Sequence, residues 1–481
     1  MAISRRDFMI ASTTAMAAAG ASRLAYSAGS GEPDVIVIGA GLSGLGTALA
    51  LEEAGLRVLV LEGRERIGGR LYTLDDVPGH PEAGGNTVAT AYGRVIAAGK
   101  KHGVELTNIF ARAFGGGPQE LFIDGAHVPI AEWPRHPRNP FPDALKALPP
   151  WGFADALFQR NMPFKELGRW FDPEFAKFDT SVYDFLAAHG ASDAAIQLAY
   201  DSNISYGTTA HDVSLLMQAA VAQWQIVNRG AGGPPFIGAF KGGNQRLPEA
   251  MARALKGDLR KGVRVVAIGT DAAGAQVTCE DGKRYRARAV VCSAPLAILR
   301  HVAIDPLPPA VQNAAIRTIR YVPITQVHIV PRKKFWESDG LNPSMWTDGI
   351  AGTVYAQRFG PNPEEVMSIT AWARGLHAQY LDLLGPEAAG RAVVAELERL
   401  RPAAKGALTV AKVRSWATDP FAGGVWATFG PGQVTAFANE LAKPHQRLFF
   451  CGEHTALGSR GMEGALESAE RAAVEVQLAL G

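Results

Sequence analysis

The chain has 481 residues, 47% of them hydrophobic and 20% charged, enough for two domains with cores of their own and too apolar for wholesale disorder. A formal net charge of +2 gives no electrostatic case for nucleic acid. The three cysteines, Cys279, Cys292 and Cys451, are widely spaced, so they offer no metal-ligand cluster and read as core thiols rather than a disulfide framework.

At the N-terminus, Ser4-Arg5-Arg6-Asp7-Phe8-Met9 places a twin-arginine pair ahead of a modest apolar run from Met9 to Ala21. Ala25-Tyr26-Ser27 then offers small residues where a signal peptidase cuts. The run is short and rich in alanine, whereas a bilayer span takes about 20 apolar residues, so no stable membrane anchor is expected. The segment resembles a bacterial Tat signal. That resemblance implies that residues 1–28 are an export signal and that the mature protein is periplasmic or secreted.

The densest information lies between Asp34 and Thr73. Val35 to Ile38 is an unbroken apolar run, as expected of a parallel strand buried on both faces. Gly39, Gly41 and Gly44 follow as G-x-G-x-x-G: a tight turn, an open approach for a pyrophosphate, and close packing of the next helix. The pattern predicts a helix from Ser43 to Ala54, whose N-terminal amides form an anion site. Gly55 stops it, and Arg57 to Leu61 reads as a second strand ending in Glu62, where a carboxylate can accept both hydrogens of a ribose diol.

After Glu62, Arg64-Glu65-Arg66-Ile67-Gly68-Gly69-Arg70 extends the motif in a way ordinary NAD dehydrogenases do not. This R-x-R-x-G-G-R extension resembles the flavin-containing amine oxidases: monoamine and polyamine oxidases, bacterial nicotine oxidoreductases and L-amino-acid oxidases. The resemblance implies FAD as cofactor, with Arg64, Gly69 and Arg70 nearest to it. Arginine forks match phosphate oxygens and stay charged at any working pH. It further implies that Gly85, Asn86 and Thr87, in Glu82-Ala83-Gly84-Gly85-Asn86-Thr87, approach the flavin. L-amino-acid oxidases place a carboxylate-clamping arginine where this chain has Thr87, which argues against an amino-acid substrate.

From about Phe110 to Phe236 the texture becomes helical and aromatic, including patterns at Val182 to Leu186 and Leu215 to Val227. A helix to Leu255 follows Lys241-Gly242-Gly243, and strands are predicted at Val263 to Ile268, Gln276 to Cys279 and Tyr285 to Cys292, ending in Ser293-Ala294-Pro295. By resemblance Val265 contacts the adenine through its backbone, and the Ala294-Pro295 corner lies beside the cofactor. Further strands are expected at Thr325 to Val330 and Val366 to Trp372.

Thr418 to Trp426 resembles the family segment that brings an aromatic ring to the flavin face, with Trp426 as that ring. Val425 stands where covalent monoamine oxidases have a flavin-bonding cysteine, so non-covalent FAD is expected. The second ring of the family's cage comes from the loop before the C-terminal helix, and here Gly461 occupies its place. This leaves an open side unless another aromatic, such as Trp346 or Tyr355, fills it. Many members also carry a lysine that holds a water against the flavin; counting back from Phe335-Trp336 puts Gln326 there, and a slip of two residues would bring in His328 instead. At the C-terminus, Leu448 to Cys451 leads into Gly452-Glu453-His454-Thr455, then Gly461-Met462-Glu463-Gly464 opens a helix to Leu478. The resemblance puts Gly452 at the cofactor, Glu453 on the ribityl hydroxyls and the Met462 amide on the flavin, while His454 reads as structural.

The expected fold class is thus α/β with mixed α+β character. A discontinuous Rossmann-like FAD-binding domain (33–110, 237–300 and 445–481) joins a substrate domain (111–236 and 301–444) with a mixed sheet and a helical insertion. The implied reaction is FAD-dependent oxidation of an amine C–N bond by hydride transfer, giving an imine that hydrolyses. The substrate expected is a bulky or ring-bearing amine, and the acceptor is oxygen or a periplasmic cytochrome or quinone. No metal site is expected, and the resemblance leaves room for a homodimer. The competing readings are an L-amino-acid oxidase or carbon–carbon desaturase on the same scaffold, and a non-catalytic exported flavoprotein.

Overall fold

Val35–Ile38 is the middle strand of a five-stranded parallel sheet, the geometry its unbroken apolar run dictates. The order is Leu448–Phe450, Ala289–Cys292, Val35–Ile38, Val58–Leu61, Asp258–Arg260. The three central strands are buried at every position. Val35 pairs with Ala289 on one side and Val58 on the other, so distant parts of the chain are locked into one register. The computed structural model describes residues 31–113, 119–230, 236–359, 362 and 364–481. The export signal expected at 1–28 lies outside them.

The helix that follows the first strand runs Leu42–Glu53 and packs on the C-terminal helix Gly461–Leu480, which therefore covers the same sheet from the far end of the sequence. A smaller sheet is ordered Arg284–Ala287, Ala275–Cys279, Val265–Thr270, Ala303–Asp305. The strand expected to run unbroken from Tyr285 to Cys292 is two strands. Arg284–Ala287 pairs antiparallel with Ala275–Cys279, and Ala289–Cys292 crosses into the parallel sheet. The break falls at Arg288, whose N–H turns to the Asp34 carbonyl at 3.0 Å. The switch from alternating exposure in Arg284–Ala287 to full burial in Ala289–Cys292 marks the change of sheet. The strand expected at Val263 begins at Val265 and extends to Thr270, because Gly269 and Thr270 still pair with Gln276 and Ala275.

The other half is built on a seven-stranded mixed sheet, ordered Leu408–Ser415, Ile324–Pro331, Ser368–Arg374, Thr353–Gln357, Met345–Thr347, Glu120–Ile123, Ala126–Val128. Helices Pro150–Asn161, Val182–Ala188 and Leu215–Gly230 form the insertion. Leu106–Asn108 pairs antiparallel with Gly238–Phe240, so the chain leaves for the insertion and returns from it side by side. All three cysteines are buried free thiols. Among the described residues no helix is long and apolar enough to cross a membrane, and no cluster of His, Cys, Asp and Glu could hold a metal ion.

Candidate functional site

The carboxyl ends of the parallel strands open into a long cavity that runs from the glycine turn to the seven-stranded sheet. Gly39, Gly41, Leu42 and Ser43 line its first part, at the start of the Leu42–Glu53 helix. Gly41 and Gly69 face each other there: a Cβ on Gly69 would stand 3.4 Å from the Gly41 Cα, so side chains would fill the space the two backbones leave open. Open backbone at a helix N-terminus is the setting that takes a pyrophosphate. Gly44 lies beneath the turn instead, where a Cβ would fall 2.0 Å from the Gly39 carbonyl oxygen.

Glu62 is 4% exposed and ties this end together. Its Oε2 accepts the Ala40 N–H and its Oε1 the Arg64 N–H, both at 2.8 Å. One lone pair on each oxygen remains for a ligand. The Arg64 guanidinium, which lines the cavity, pairs with Asp419, and Asp419 also takes Arg414. Burial alone would raise the Asp419 carboxyl, but Arg64 and Arg414 outweigh it and hold it below the usual carboxylate range. Farther along, Arg70 donates to Glu453 Oε1 at 2.8 Å and to the Val425 carbonyl, which fixes the C-terminal loop against the aromatic segment. Burial would lower the Arg70 pKa; Glu453 and Tyr321 instead raise it.

Beyond these pairs the walls become flat and apolar. Gly84, Gly85, Asn86, Ala294, Pro295, Met462 and Val425 line this stretch, and Trp372, Trp416 and Trp426 line it with Gln326, while Ser293 stays at the glycine turn with its Oγ on the Ile38 carbonyl. Trp416 donates its indole N–H to the Ala83 carbonyl at 2.5 Å. Tyr206 lies 5.5 Å from Trp426, ring to ring, tilted by 35°. Gly461 sits at the C-terminal helix start with φ +57, and a Cβ there would meet only the Tyr92 hydroxyl, at 3.9 Å.

The fold thus brings Gly39, Gly41, Glu62, Arg64, Gly69, Arg70, Gly85, Asn86, Val265, Gln326, Trp426, Glu453, Gly461 and Met462 to one cavity. Gly44, Thr87 and Gly452 are not among its lining residues. Gly452 is held by its N–H on Ser468 Oγ at 2.8 Å. His328 also lies off the cavity, wholly buried with Nδ1 on Thr370 Oγ1 at 3.0 Å, and burial lowers its pKa to about 3. His454 is 3% exposed and lowered to about 3, by burial first and then by Arg70 and Arg471. Neither Trp346 nor Tyr355 lines the cavity: Trp346 packs on Trp151, and Tyr355 packs edge-on against Trp372 at 5.6 Å. Sequence reasoning assigned no role to Trp372, Trp416, Tyr206 or Asp419. Gln326 and Trp372 are register partners on neighbouring strands, a pairing that neither stretch of sequence shows by itself.

Residues 42–477 match the flavin containing amine oxidoreductase family. The chain belongs to that family. It is an FAD-dependent enzyme that oxidises amines. It is 26% identical over 475 residues to human amine oxidase [flavin-containing] B, covering 93% of this chain and 86% of that one. It is 26% identical over 463 residues to an L-amino-acid oxidase of Demansia vestigiata, covering 92% and 87%. Its fold is similar to that of cyclohexylamine oxidase from Brevibacterium oxydans, with a TM-score of 0.76, 22% identity, and 94% and 100% of the two chains covered.

The cavity fits FAD in its chemistry: two bare backbones at a helix N-terminus, then a buried carboxylate with free lone pairs, then a flat aromatic end. When bound, FAD supplies the acceptor for the hydride of the amine.

Proposed function

We propose that this amine oxidoreductase acts on a bulky or ring-bearing amine and holds FAD without a covalent bond. Gly41, Gly69 and the Leu42–Glu53 helix N-terminus would take the pyrophosphate. Glu62 would take a ribose diol, and Glu453 and the Met462 amide the flavin end. The observation that carries the substrate reading is Gly461. It leaves the cavity beside it open as far as the Tyr92 hydroxyl, while Trp426 supplies a flat wall. Dry aromatic walls suit a neutral amine presented to the flavin, and the reaction needs no strong base. Val425, in the place of a bonding cysteine, leaves the flavin free.

The Ser4-Arg5-Arg6 segment supports export, which makes a periplasmic cytochrome or quinone an acceptor alongside oxygen. Anaerobic mixing of the purified yellow protein with a panel of amines tests the substrate reading. Ring-bearing amines should bleach the flavin fastest. A preference for small straight-chain amines, or no bleaching by any amine, would count against it.

A further inference from the structure

The open side of the cavity at Gly461 has a polar boundary. Beyond its own helix and chain neighbours, a Cβ on Gly461 would have one atom of the described residues within 4 Å, the Tyr92 hydroxyl oxygen at 3.9 Å. Gly461 lines the cavity, so the missing side chain leaves that oxygen as the nearest group across the gap.

The C-terminal helix itself holds Tyr92 in this place. Tyr92 immediately precedes the Gly93–Lys101 helix, whose Arg94 and Val95 N–H groups donate to the two oxygens of buried Glu463 at 3.0 and 3.1 Å. Glu463 is two residues past Gly461, so one anchored joint sets both the glycine and the phenol.

Two further polar rings converge on the same point. Tyr206 is 9% exposed and leans on Trp426, and its phenol and that of Tyr92 act on each other through space. Trp224, on the Leu215–Gly230 helix, is 7% exposed and lies 5.7 Å from Tyr92, ring to ring. Its Nε1 is near enough to act on the Tyr92 hydroxyl as a donor, yet completes no hydrogen bond of normal geometry. Buried indole and phenol hydrogens ordinarily find an acceptor. Here, among the described residues, none takes the hydrogen of either phenol, and burial raises both phenols above their usual range, so both keep that hydrogen at any working pH.

We propose that Tyr92 and Tyr206 select the substrate by donating hydrogen bonds to a neutral oxygen (ether, hydroxyl or ketone) at the end of the amine remote from the carbon that is oxidised. Donors converge here, so the group that meets them is an acceptor. The reacting nitrogen is unsuited to that part. Its lone pair is given up as the hydride leaves, and a donor bound to it would stabilise the ground state more than the transition state. The inference rests on the amine-oxidation reading and narrows its substrate class.

The test uses the purified FAD-containing enzyme and saturated-ring pairs that differ at one remote position. One pair is 4-(aminomethyl)tetrahydropyran and cyclohexylmethylamine; the other is 4-(aminomethyl)cyclohexanol and (4-methylcyclohexyl)methylamine. Neither oxygen is conjugated with the reacting carbon, so the ratio within a pair reports recognition. Anaerobic flavin reduction is followed by stopped flow in wild type, Tyr92→Phe and Tyr206→Phe, and binding of each amine is titrated through the visible flavin spectrum. In wild type the oxygen-bearing member should have the advantage by about tenfold in both readouts. Each Phe variant should cut that ratio to below about threefold. A merely structural loss would weaken both members of a pair alike and leave the ratio where it was. Should a variant fail to fold, the wild-type ratio still decides. A wild-type ratio near one, or an unchanged ratio in Tyr92→Phe, overturns the proposal while leaving amine oxidation intact; an unchanged ratio in Tyr206→Phe alone removes Tyr206 from it. Reduction by no amine at all overturns the amine reading instead, and the spectral titration of the same pairs then judges the two tyrosines.

Discussion

Gln326 and Trp372 stand opposite each other on neighbouring antiparallel strands, and in the amide orientation that satisfies both of its neighbours the glutamine oxygen accepts the indole Nε1 hydrogen at 2.8 Å. The amide nitrogen donates to the Ala83 carbonyl at 3.0 Å. Gln326 is therefore a fixed, neutral part of the wall, 2% exposed, at the place where the count back from Phe335-Trp336 expects the family's lysine. A cation there would stabilise negative charge developing as oxygen is reduced, and a tied amide does so less. The reduced enzyme should consequently react slowly with oxygen and pass its electrons faster to a cytochrome or quinone acceptor. Stopped-flow mixing with oxygen measures this. Rapid reoxidation of wild type, with no acceleration in Gln326→Lys, would show that the missing charge is irrelevant.

Glu62 gives a cofactor prediction. Both of its oxygens are already on backbone amides, so removing the carboxylate loosens the turn as well as the ligand. Glu62→Ala should weaken FAD binding by about 1.5–3 kcal/mol, the worth of a charge-assisted hydrogen bond, read as flavin lost on desalting. In wild type, acid or heat should release all of the FAD into solution because Val425 forms no thioether. Flavin that stays with the denatured chain would overturn the non-covalent reading.

What could be read from the sequence was local, and what could not was set by register. The glycine turn, Glu62 and the Met462 helix start are each written within a few consecutive residues, and each lies at the cavity. Asp419 meets Arg64 across 355 positions, and Trp372 reaches the cavity only because its strand pairs in one particular register with that of Gln326. No local pattern encodes either meeting. The break at Arg288 was missed because a strand leaving one sheet and entering another keeps its β-forming composition throughout.

Glu82 supplies a pH dependence. Burial raises its pKa from 4.5 to about 7, against the opposing bonds from the Asn244 N–H at 2.6 Å and the Thr73 hydroxyl at 3.1 Å. Between those two values the folded chain binds more protons than the unfolded one. The contribution of this group is thus fully present below the unfolded value and is lost as pH rises through about 7, by about 3 kcal/mol in all. Glu82→Gln keeps an acceptor for Asn244 and removes the titration. Its melting temperature should fall less than that of wild type between pH 5 and pH 8. Equal slopes in the two proteins would place the pH sensitivity elsewhere.

The open wall at Gly461 is tested by closing it. Its φ of +57 belongs to the left-handed region, so any other residue there carries strain of about 1 kcal/mol. An added methyl group would also point toward the Tyr92 hydroxyl, into the space a bulky substrate is expected to use. Gly461→Ala should therefore lower kcat/KM for benzylamine or cyclohexylamine about tenfold more than for butylamine, the cost of about 1.4 kcal/mol of steric misfit. The strain should lower activity toward all amines equally, whereas the narrowing should not, so the ratio separates the two effects. Flavin content and melting temperature, measured alongside, report the strain. An unchanged ratio with intact flavin would mean that the substrate lies on another side of Trp426 and that Gly461 does not set its size.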